Sequence, residues 1–130
     1  MASGQLAGSR ILIVEDEYFL ADEARAILCE VGAEIVGPVP TVAEARTLID
    51  SDHGIGGALL DINLRGEMAF ELAEALQTRG IPFAFITGYD RGVLTERFAD
   101  AASLDKPVQR QQLIDAVERF GTHRIPRTAA

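Results

Sequence analysis

Apolar residues along the chain fall into two kinds of run, short unbroken ones and longer ones with helical spacing. The unbroken runs are too short for helices and too uniformly apolar for half-exposed strands, so they predict buried strands. Between them, apolar residues recur about every three to four positions, as on the buried face of an amphipathic helix. The predicted strands are residues 11–14, 34–36, 58–60, 83–86 and 101–104, of which the second and the fifth each include one polar residue, Glu34 and Ser103.

Five helices are predicted between and after these strands, and capping and turn residues mark several of their ends. Thr41 and Glu44 have the spacing of a capping box at the start of the second helix. Gly32 is expected to end the first helix, and Gly37-Pro38 to end the second strand. The predicted helices lie at residues 20–31, 41–49, 66–79, 93–98 and 113–120.

The alternation of strands and helices predicts an α/β fold, in which right-handed crossovers cover both faces of a mostly parallel sheet. We expect a doubly wound, five-stranded parallel sheet of the flavodoxin-like kind, with five helices. Its strand order, 2-1-3-4-5, is taken from that known architecture rather than worked out from the pattern. The predicted domain covers residues 10–120. Residues 1–9 and 121–130 are small and polar without periodicity, so they are predicted to be flexible tails.

Composition excludes several classes of protein. The 130 residues include 20 acidic and 12 basic ones, which gives a formal net charge of −8. This charge argues against direct binding of nucleic acid, because such binding needs a basic surface. A single cysteine, Cys29, excludes a disulfide framework and a cysteine-rich zinc site. The chain begins without an apolar leader and has no apolar run of membrane-spanning length. We therefore expect no membrane insertion and a location in the cytoplasm.

Polar residues come directly after four of the five predicted strands. The carboxyl ends of parallel strands meet at one edge of a sheet, which is where ligands bind in folds of this class. We therefore expect these side chains to lie together. They are Glu15-Asp16 after the first strand, Asp61 after the third, Thr87-Gly88 after the fourth and Asp105-Lys106-Pro107 after the fifth.

These residue types together favour a metal and a phosphoryl group. Three carboxylates, those of Glu15, Asp16 and Asp61, would raise one another's pKa unless a cation joined them. A site made only of oxygen ligands suits Mg²⁺. Lys106 is the only lysine in the chain, and its compact ammonium group would face a second anion, to which Thr87 would donate a hydrogen bond. A phosphoryl group on an aspartate satisfies all of these partners.

Four short motifs at these strand ends resemble the receiver domain of two-component response regulators. They are VEDE at 14–17, LLDINL at 59–64, FITGY at 85–89 and Lys106-Pro107, and the similarity runs from about residue 10 to residue 120. The Phe-x-Thr-Gly-Tyr form of the third motif is similar to that of a subgroup often found as stand-alone receivers. The resemblance implies a phosphoprotein of signal transduction or a phosphorelay rather than an enzyme.

The resemblance assigns roles in phosphoryl transfer to four positions. Asp61 matches the phosphoacceptor aspartate of receivers. Thr87 matches the switch hydroxyl that moves toward the phosphoryl oxygen, and Lys106 matches the lysine that pairs with the phosphoryl group. Pro107 matches the proline that often follows this lysine through a cis peptide bond.

The resemblance also implies a Mg²⁺ site. Asp16 matches the direct metal ligand, and Asp61 shares the ion. Asn63, two residues past the phosphoacceptor, matches the position whose backbone carbonyl completes the metal shell. Glu15 is expected to reach the metal through water.

Two departures from the receiver pattern affect the expected output. Ser103 stands three residues before the lysine, where receivers usually have a tyrosine or phenylalanine whose rotamer reports phosphorylation. The loop after Asp61 also lacks the usual proline. Tyr89, with Gly88 beside it, would either supply the missing aromatic side chain or gate the attacking water, and its position two residues past Thr87 favours the gate. The route from phosphorylation to output is left open.

Structural roles compete with functional ones at several residues. Glu15-Asp16 alone would equally suit a solvated turn, and Lys106 an ordinary exposed position. Cys29 is expected to be a small buried residue near the core face of the first helix. One of Tyr18 and Phe19 is expected to pack, while the other helps to form a partner surface.

Three functions follow, and the leading one is a stand-alone receiver. A sensor histidine kinase or a histidine phosphotransfer protein would phosphorylate Asp61, and the receiver would signal through a downstream protein partner or act as a phosphate sink. The alternative is a receiver-like adaptor that is never phosphorylated, which Ser103 favours. A small Mg²⁺-dependent phosphohydrolase ranks last, because 130 residues leave no room for the substrate cap such enzymes usually add.

Overall fold

A computed structural model describes residues 4–88 and 98–122. In chain order the elements are β1 (Arg10–Val14), α1 (Tyr18–Glu30), β2 (Glu34–Val39), α2 (Val42–Ser51), β3 (Gly57–Asp61), β4 (Asn63–Leu64), β5 (Glu67–Met68), α3 (Phe70–Thr78), β6 (Phe83–Thr87), β7 (Ala102–Asp105) and α4 (Arg110–Thr122). Five strands form one parallel sheet in the order β2-β1-β3-β6-β7, and β4 and β5 form a separate antiparallel hairpin. The predicted α/β sheet and its order are therefore confirmed.

The two faces of the sheet carry two separate hydrophobic cores. Successive residues of a strand point to opposite faces, so the wholly apolar central strands contribute to both. Leu12, Leu60 and Phe85 pack with α2 and α3, whereas Ile13 and Leu59 pack with α1 and α4. This explains why the strands are uniformly apolar and why helices cover both faces.

The capping box predicted at the start of α2 is present. The Glu44 amide donates to Oγ1 of Thr41 over 3.1 Å, and the Thr41 hydroxyl donates to a Glu44 carboxylate oxygen over 2.9 Å. These bonds satisfy one of the free amides of the first turn and fix where the helix begins.

The third helix begins later than predicted. Residues 63–68 form the β4–β5 hairpin instead, and α3 starts at Phe70. Arg65 and Gly66 have φ of 57° and 90°, and a two-residue hairpin turn needs left-handed backbone at both central positions. The apolar residues of α3 have the predicted helical spacing, but this spacing does not indicate the turn at Arg65 and Gly66.

The second strand continues beyond Gly37-Pro38, where the sequence predicted its end. Leu12 of β1 pairs with Val36 and Val14 pairs with Val39, so β2 has one residue more than β1 over this stretch. Gly37 has φ +88°, which suits a bulge of this kind. The strand lies at the sheet edge, where a proline without an amide proton is tolerated.

Side chains at both ends of α1 differ from expectation. Cys29 is exposed, because Leu28 occupies the core position and successive helical residues are rotated by about 100°. Tyr18 and Phe19 are 74% and 84% exposed, so neither packs into the core. Their rings instead contact each other edge to face with centroids 5.6 Å apart.

The remaining predictions concern the helix count and the chain ends. Four helices lie in the described residues, and the predicted helix at 93–98 falls almost wholly outside them. The predicted domain boundaries stay predictions; Leu6, placed in the N-terminal tail, is buried, and its amide donates to the carbonyl of Val31. In the part of the chain that the structure describes, no helix is long and apolar enough to cross a membrane. The expected cytoplasmic location stays a prediction.

Candidate functional site

The carboxyl ends of four parallel strands bring the predicted site residues to one edge of the sheet. Asp61, Thr87 and Asp105 are the last residues of β3, β6 and β7. Glu15 follows β1 directly, and its amide donates to the carbonyl of Val39 over 3.0 Å, which extends the β1–β2 ladder. Glu15, Asp61 and Thr87 are buried although all three are polar. Buried polar groups of this kind need partners, and the partners lie within the cluster.

Lys106 is the centre of the ionic contacts. Its Nζ lies 2.9 Å from Oδ2 of Asp61, 3.3 Å from a carboxylate oxygen of Glu17 and 3.7 Å from one of Glu15. The Lys106 amide donates to the carbonyl of Thr87 over 2.7 Å, and the peptide bond to Pro107 is cis. Burial alone would lower the pKa of Lys106, but the hydrogen bond to Asp61 and the nearby carboxylates outweigh burial and raise it. The ammonium group is therefore charged at neutral pH.

Four carboxylates surround one point beside this lysine. Glu15, Asp16, Glu17 and Asp61 each offer an oxygen, and these oxygens all lie within 4.8 Å of one another. Burial, followed by the hydrogen bond and the charge of Asp61, raises the pKa of Glu15 to about 8. So many acids close together, with only oxygen donors, form a site that suits a hard divalent cation.

The β4–β5 hairpin is tied to these acids through backbone amides. The Asn63 amide donates to Oδ1 of Asp61 over 3.2 Å, and the Arg65 amide donates to Oδ2 of Asp16 over 3.1 Å. The Asn63 side chain in turn accepts from the Gly66 amide over 2.7 Å, which closes the turn. The hairpin that the sequence reading missed therefore holds Asp61 and Asp16 in position.

The switch candidate Thr87 has a partner on the neighbouring strand. Its hydroxyl donates to Oδ1 of Asp105 over 3.1 Å. Ser103, also on β7, is half-buried and pairs with Phe85 of β6. Tyr89, the predicted gate, lies outside the described residues.

An open cleft of about 810 Å³ leads to the carboxylates. Asp61 lies at its base with only 5% of the side chain exposed, while Gly88 and Pro107 belong to its lining. The cleft also includes Leu20, beside the exposed aromatic pair at the start of α1. The phosphoacceptor candidate can thus be reached from solvent on one side.

Two residues of this site were missed as functional candidates. Glu17 contacts Lys106, and Asp105 contacts Thr87. Glu17 stands within the VEDE motif and Asp105 ends a strand, so position in the sequence could have indicated both. The pairwise contacts could not be read from the sequence, because they depend on the side-chain directions at two different strand ends.

Comparisons with known proteins agree on one family, although no protein-family model matches the chain. The Phyllosphere-induced regulator PhyR of Methylorubrum extorquens is 33% identical over 104 residues, which are 78% of this chain and 39% of PhyR. The solution structure of SdrG from Sphingomonas melonis is 38% identical with a TM-score of 0.77, and the match covers 92% of this chain and 98% of SdrG. A CheY-like response regulator receiver domain protein from Methanospirillum hungatei is 27% identical with a TM-score of 0.74, over 88% of this chain and 95% of that one.

The chain belongs to the receiver domains of two-component response regulators. Receiver domains of this family are signalling modules. The chain spans between 39% and 55% of the length of the curated relatives it matches.

Proposed function

We propose that the chain acts as a receiver in which Asp61 accepts a phosphoryl group from a sensor histidine kinase or a histidine phosphotransfer protein. The observation that carries the proposal is the surroundings of Asp61. Its carboxylate contacts Lys106, lies among other acids and is reached through the cleft. A carboxylate in these surroundings can act as a nucleophile, and the ammonium group of Lys106 can neutralise the negative charge of the phosphoryl group.

The donor set supports Mg²⁺ as the cofactor. Asp16 and Asp61 would hold the ion directly, together with the backbone carbonyl of Asn63, and Glu15 would reach it through water. When bound, Mg²⁺ neutralises the carboxylates and the oxygens of the transferred phosphoryl group. Burial, followed by the hydrogen bond and the charge of Asp61, raises the pKa of Glu15, and a bound cation would favour the ionised form again.

The transfer itself needs positioning more than covalent help from the protein. One carboxylate oxygen of Asp61 forms a bond to phosphorus while the bond from phosphorus to the donor's imidazole nitrogen breaks, and the electron pair returns to the imidazole. Lys106 exchanges its contact with Asp61 for one with a phosphoryl oxygen. Thr87 then donates its hydroxyl to another phosphoryl oxygen.

Output is proposed to pass through protein contacts to a downstream partner, or to end at Asp61 if the receiver serves as a phosphate sink. Four further residues are proposed to modulate the rates of phosphorylation and hydrolysis. Gly88 and Tyr89 follow Thr87 in the sequence, Pro107 follows Lys106, and Ser103 lies on β7. The family's role in two-component signalling supports kinases and partner proteins as the interacting molecules.

The proposal is tested by incubating the protein with acetyl phosphate and Mg²⁺ and measuring its intact mass. The wild type should gain one phosphoryl group, whereas Asp61→Asn, or the wild type with EDTA, should gain none. Asp100→Asn is a matched control, since Asp100 is exposed outside the site, and should be labelled like the wild type. Folded wild-type protein that stays unlabelled would favour the adaptor. Multiple turnovers of small phosphate esters would favour a phosphohydrolase.

A further inference from the structure

Thr87 and Asp105 form a hydrogen bond that must break if Thr87 is to donate to the phosphoryl group. The two residues pair across β6 and β7, and the Thr87 hydroxyl donates to the Asp105 carboxylate over 3.1 Å. A hydroxyl has a single proton to donate. While it donates to Asp105, it cannot donate to a phosphoryl oxygen on Asp61.

We propose that Asp105 is a positioning residue that holds the Thr87 hydroxyl in a resting orientation, and that releasing this bond is part of the response to phosphorylation. The inference rests on the proposed function of Asp61. Because the hydrogen bond from Thr87 to Asp105 has to be broken before the hydroxyl can turn away, Asp105 biases the receiver toward its resting form. The new contacts with the phosphoryl group offset the free energy that is lost when the hydrogen bond between Thr87 and Asp105 breaks.

A backbone hydrogen bond lies directly beside this side-chain hydrogen bond, so a rotation of the side chain is the smallest change that releases Thr87. The Lys106 amide donates to the Thr87 carbonyl over 2.7 Å, directly beside the side-chain bond. Thr87 is fully buried, which leaves its hydroxyl few alternative partners. Rotation of the Thr87 side chain from Asp105 toward Asp61 is the motion that this geometry allows.

The hydrogen bond between Thr87 and Asp105 can link phosphorylation to a structural change, a role for which Ser103 has no suitable side chain. Ser103 occupies the place where receivers usually have an aromatic side chain, which left the route to output open. Asp105 lies two residues further along the same strand, and residues two apart point to the same face of the sheet. We therefore place the resting-state restraint of this receiver in the acidic side chain at 105.

The test measures the affinity for beryllofluoride, a phosphoryl mimic, at saturating Mg²⁺. Asp105→Ala should tighten binding about three- to tenfold, as expected when one hydrogen bond no longer has to be broken. Asp105→Asn keeps an acceptor without the charge and should tighten binding less. Asp100→Ala removes an exposed acid elsewhere and should bind like the wild type. Thermal unfolding of each variant shows that it is folded.

A double-mutant cycle separates action through Thr87 from a simple effect of charge. In a Thr87→Ala background, Asp105→Ala should change the affinity for beryllofluoride by less than about twofold. In the free Asp105→Ala protein, the methyl resonance of Thr87 should shift toward its position in the beryllofluoride complex.

Two results would overturn the inference while the proposed function stands. One is unchanged affinity in Asp105→Ala, and the other is the same tightening with and without Thr87. If the wild type neither binds beryllofluoride nor is labelled at Asp61, the proposed function fails, and the inference fails with it.

Discussion

Lys106, which directly follows β7, and Asp61, the last residue of β3, are joined by a contact of 2.9 Å between Nζ and Oδ2. The chain has eleven arginines and one lysine, and the lysine is the residue at this point. An ammonium group is a compact charge that can move from a carboxylate to a phosphoryl oxygen, whereas a guanidinium group is a planar fork suited to two parallel bonds. The geometry of this site thus explains why a lysine, rather than an arginine, stands at position 106.

Replacing this lysine should slow phosphorylation. Lys106→Gln removes the charge that faces the developing phosphoryl oxygens, and we expect the rate of labelling by acetyl phosphate to fall by about 100-fold or more. Lys106→Arg should not restore the rate. Arg110→Gln is the matched control, because it breaks an exposed ion pair with Glu30 away from the site. Labelling of Lys106→Gln at the rate of this control would contradict the assigned role.

The acidic cluster should destabilise the metal-free protein as the pH rises. Glu15 has its pKa raised from 4.5 to about 8, so the folded protein holds a proton that the unfolded chain has lost between these values. Stability therefore falls as the pH rises from about 4.5 to about 8. Glu15→Gln removes this dependence and should increase the free energy of unfolding at pH 9 by about 1–3 kcal/mol. Urea unfolding in the presence of EDTA at several pH values measures the free energy of unfolding. If this free energy changed with pH in the same way in the variant and the wild type, the prediction would be refuted.

Mg²⁺ should stabilise the folded protein through the same acids. At a free concentration of 100 times Kd, a ligand that binds only the folded state adds about 2.7 kcal/mol to the free energy of unfolding. Asp16→Asn should lose most of this gain, whereas Asp22→Asn, which alters an exposed pair with Arg25 on α1, should keep it. Thermal unfolding with and without Mg²⁺ gives the comparison. Equal stabilisation of both variants would place the ion elsewhere.

A glycine on β3 is required by the packing of α4. A Cβ at Gly57 would overlap the ring of the buried Phe120, whereas a Cβ at Gly121 would meet nothing within 4 Å. Gly57→Ala should lower the free energy of unfolding by about 1–3 kcal/mol, because the ring has to shift within a packed core. Gly121→Ala should leave it unchanged or raise it by up to about 1 kcal/mol, since alanine is favoured over glycine in a helix. Denaturant unfolding checks both, and equal effects would show that the ring yields freely.

The strands and helices could be predicted from the sequence because the central strands are short apolar runs and the helices have regular apolar spacing. The strand ends followed from the same pattern, and with them the grouping of Glu15, Asp16, Asp61, Thr87 and Lys106. What the pattern shows is which residues arrive at the same edge of the sheet.

Local backbone conformation and side-chain partners could not be predicted in the same way. Arg65 is a non-glycine residue with left-handed backbone, so nothing in the apolar spacing indicated a hairpin there. The packing of Leu6 depends on a carbonyl presented by a distant turn at Val31. The bonds of Glu17 to Lys106 and of Thr87 to Asp105 join residues from separate elements, and their pairing is set by rotamers rather than by spacing.

The central claim is that Asp61 itself becomes phosphorylated, and site mapping tests it most directly. Protein treated with acetyl phosphate and Mg²⁺ is reduced with borohydride, which converts an aspartyl phosphate to homoserine, and the peptides are sequenced by mass spectrometry. We predict homoserine at position 61 and at no other acid of the cluster. Modification at position 15, 16 or 17, or none in folded protein with Mg²⁺ bound, would contradict the account.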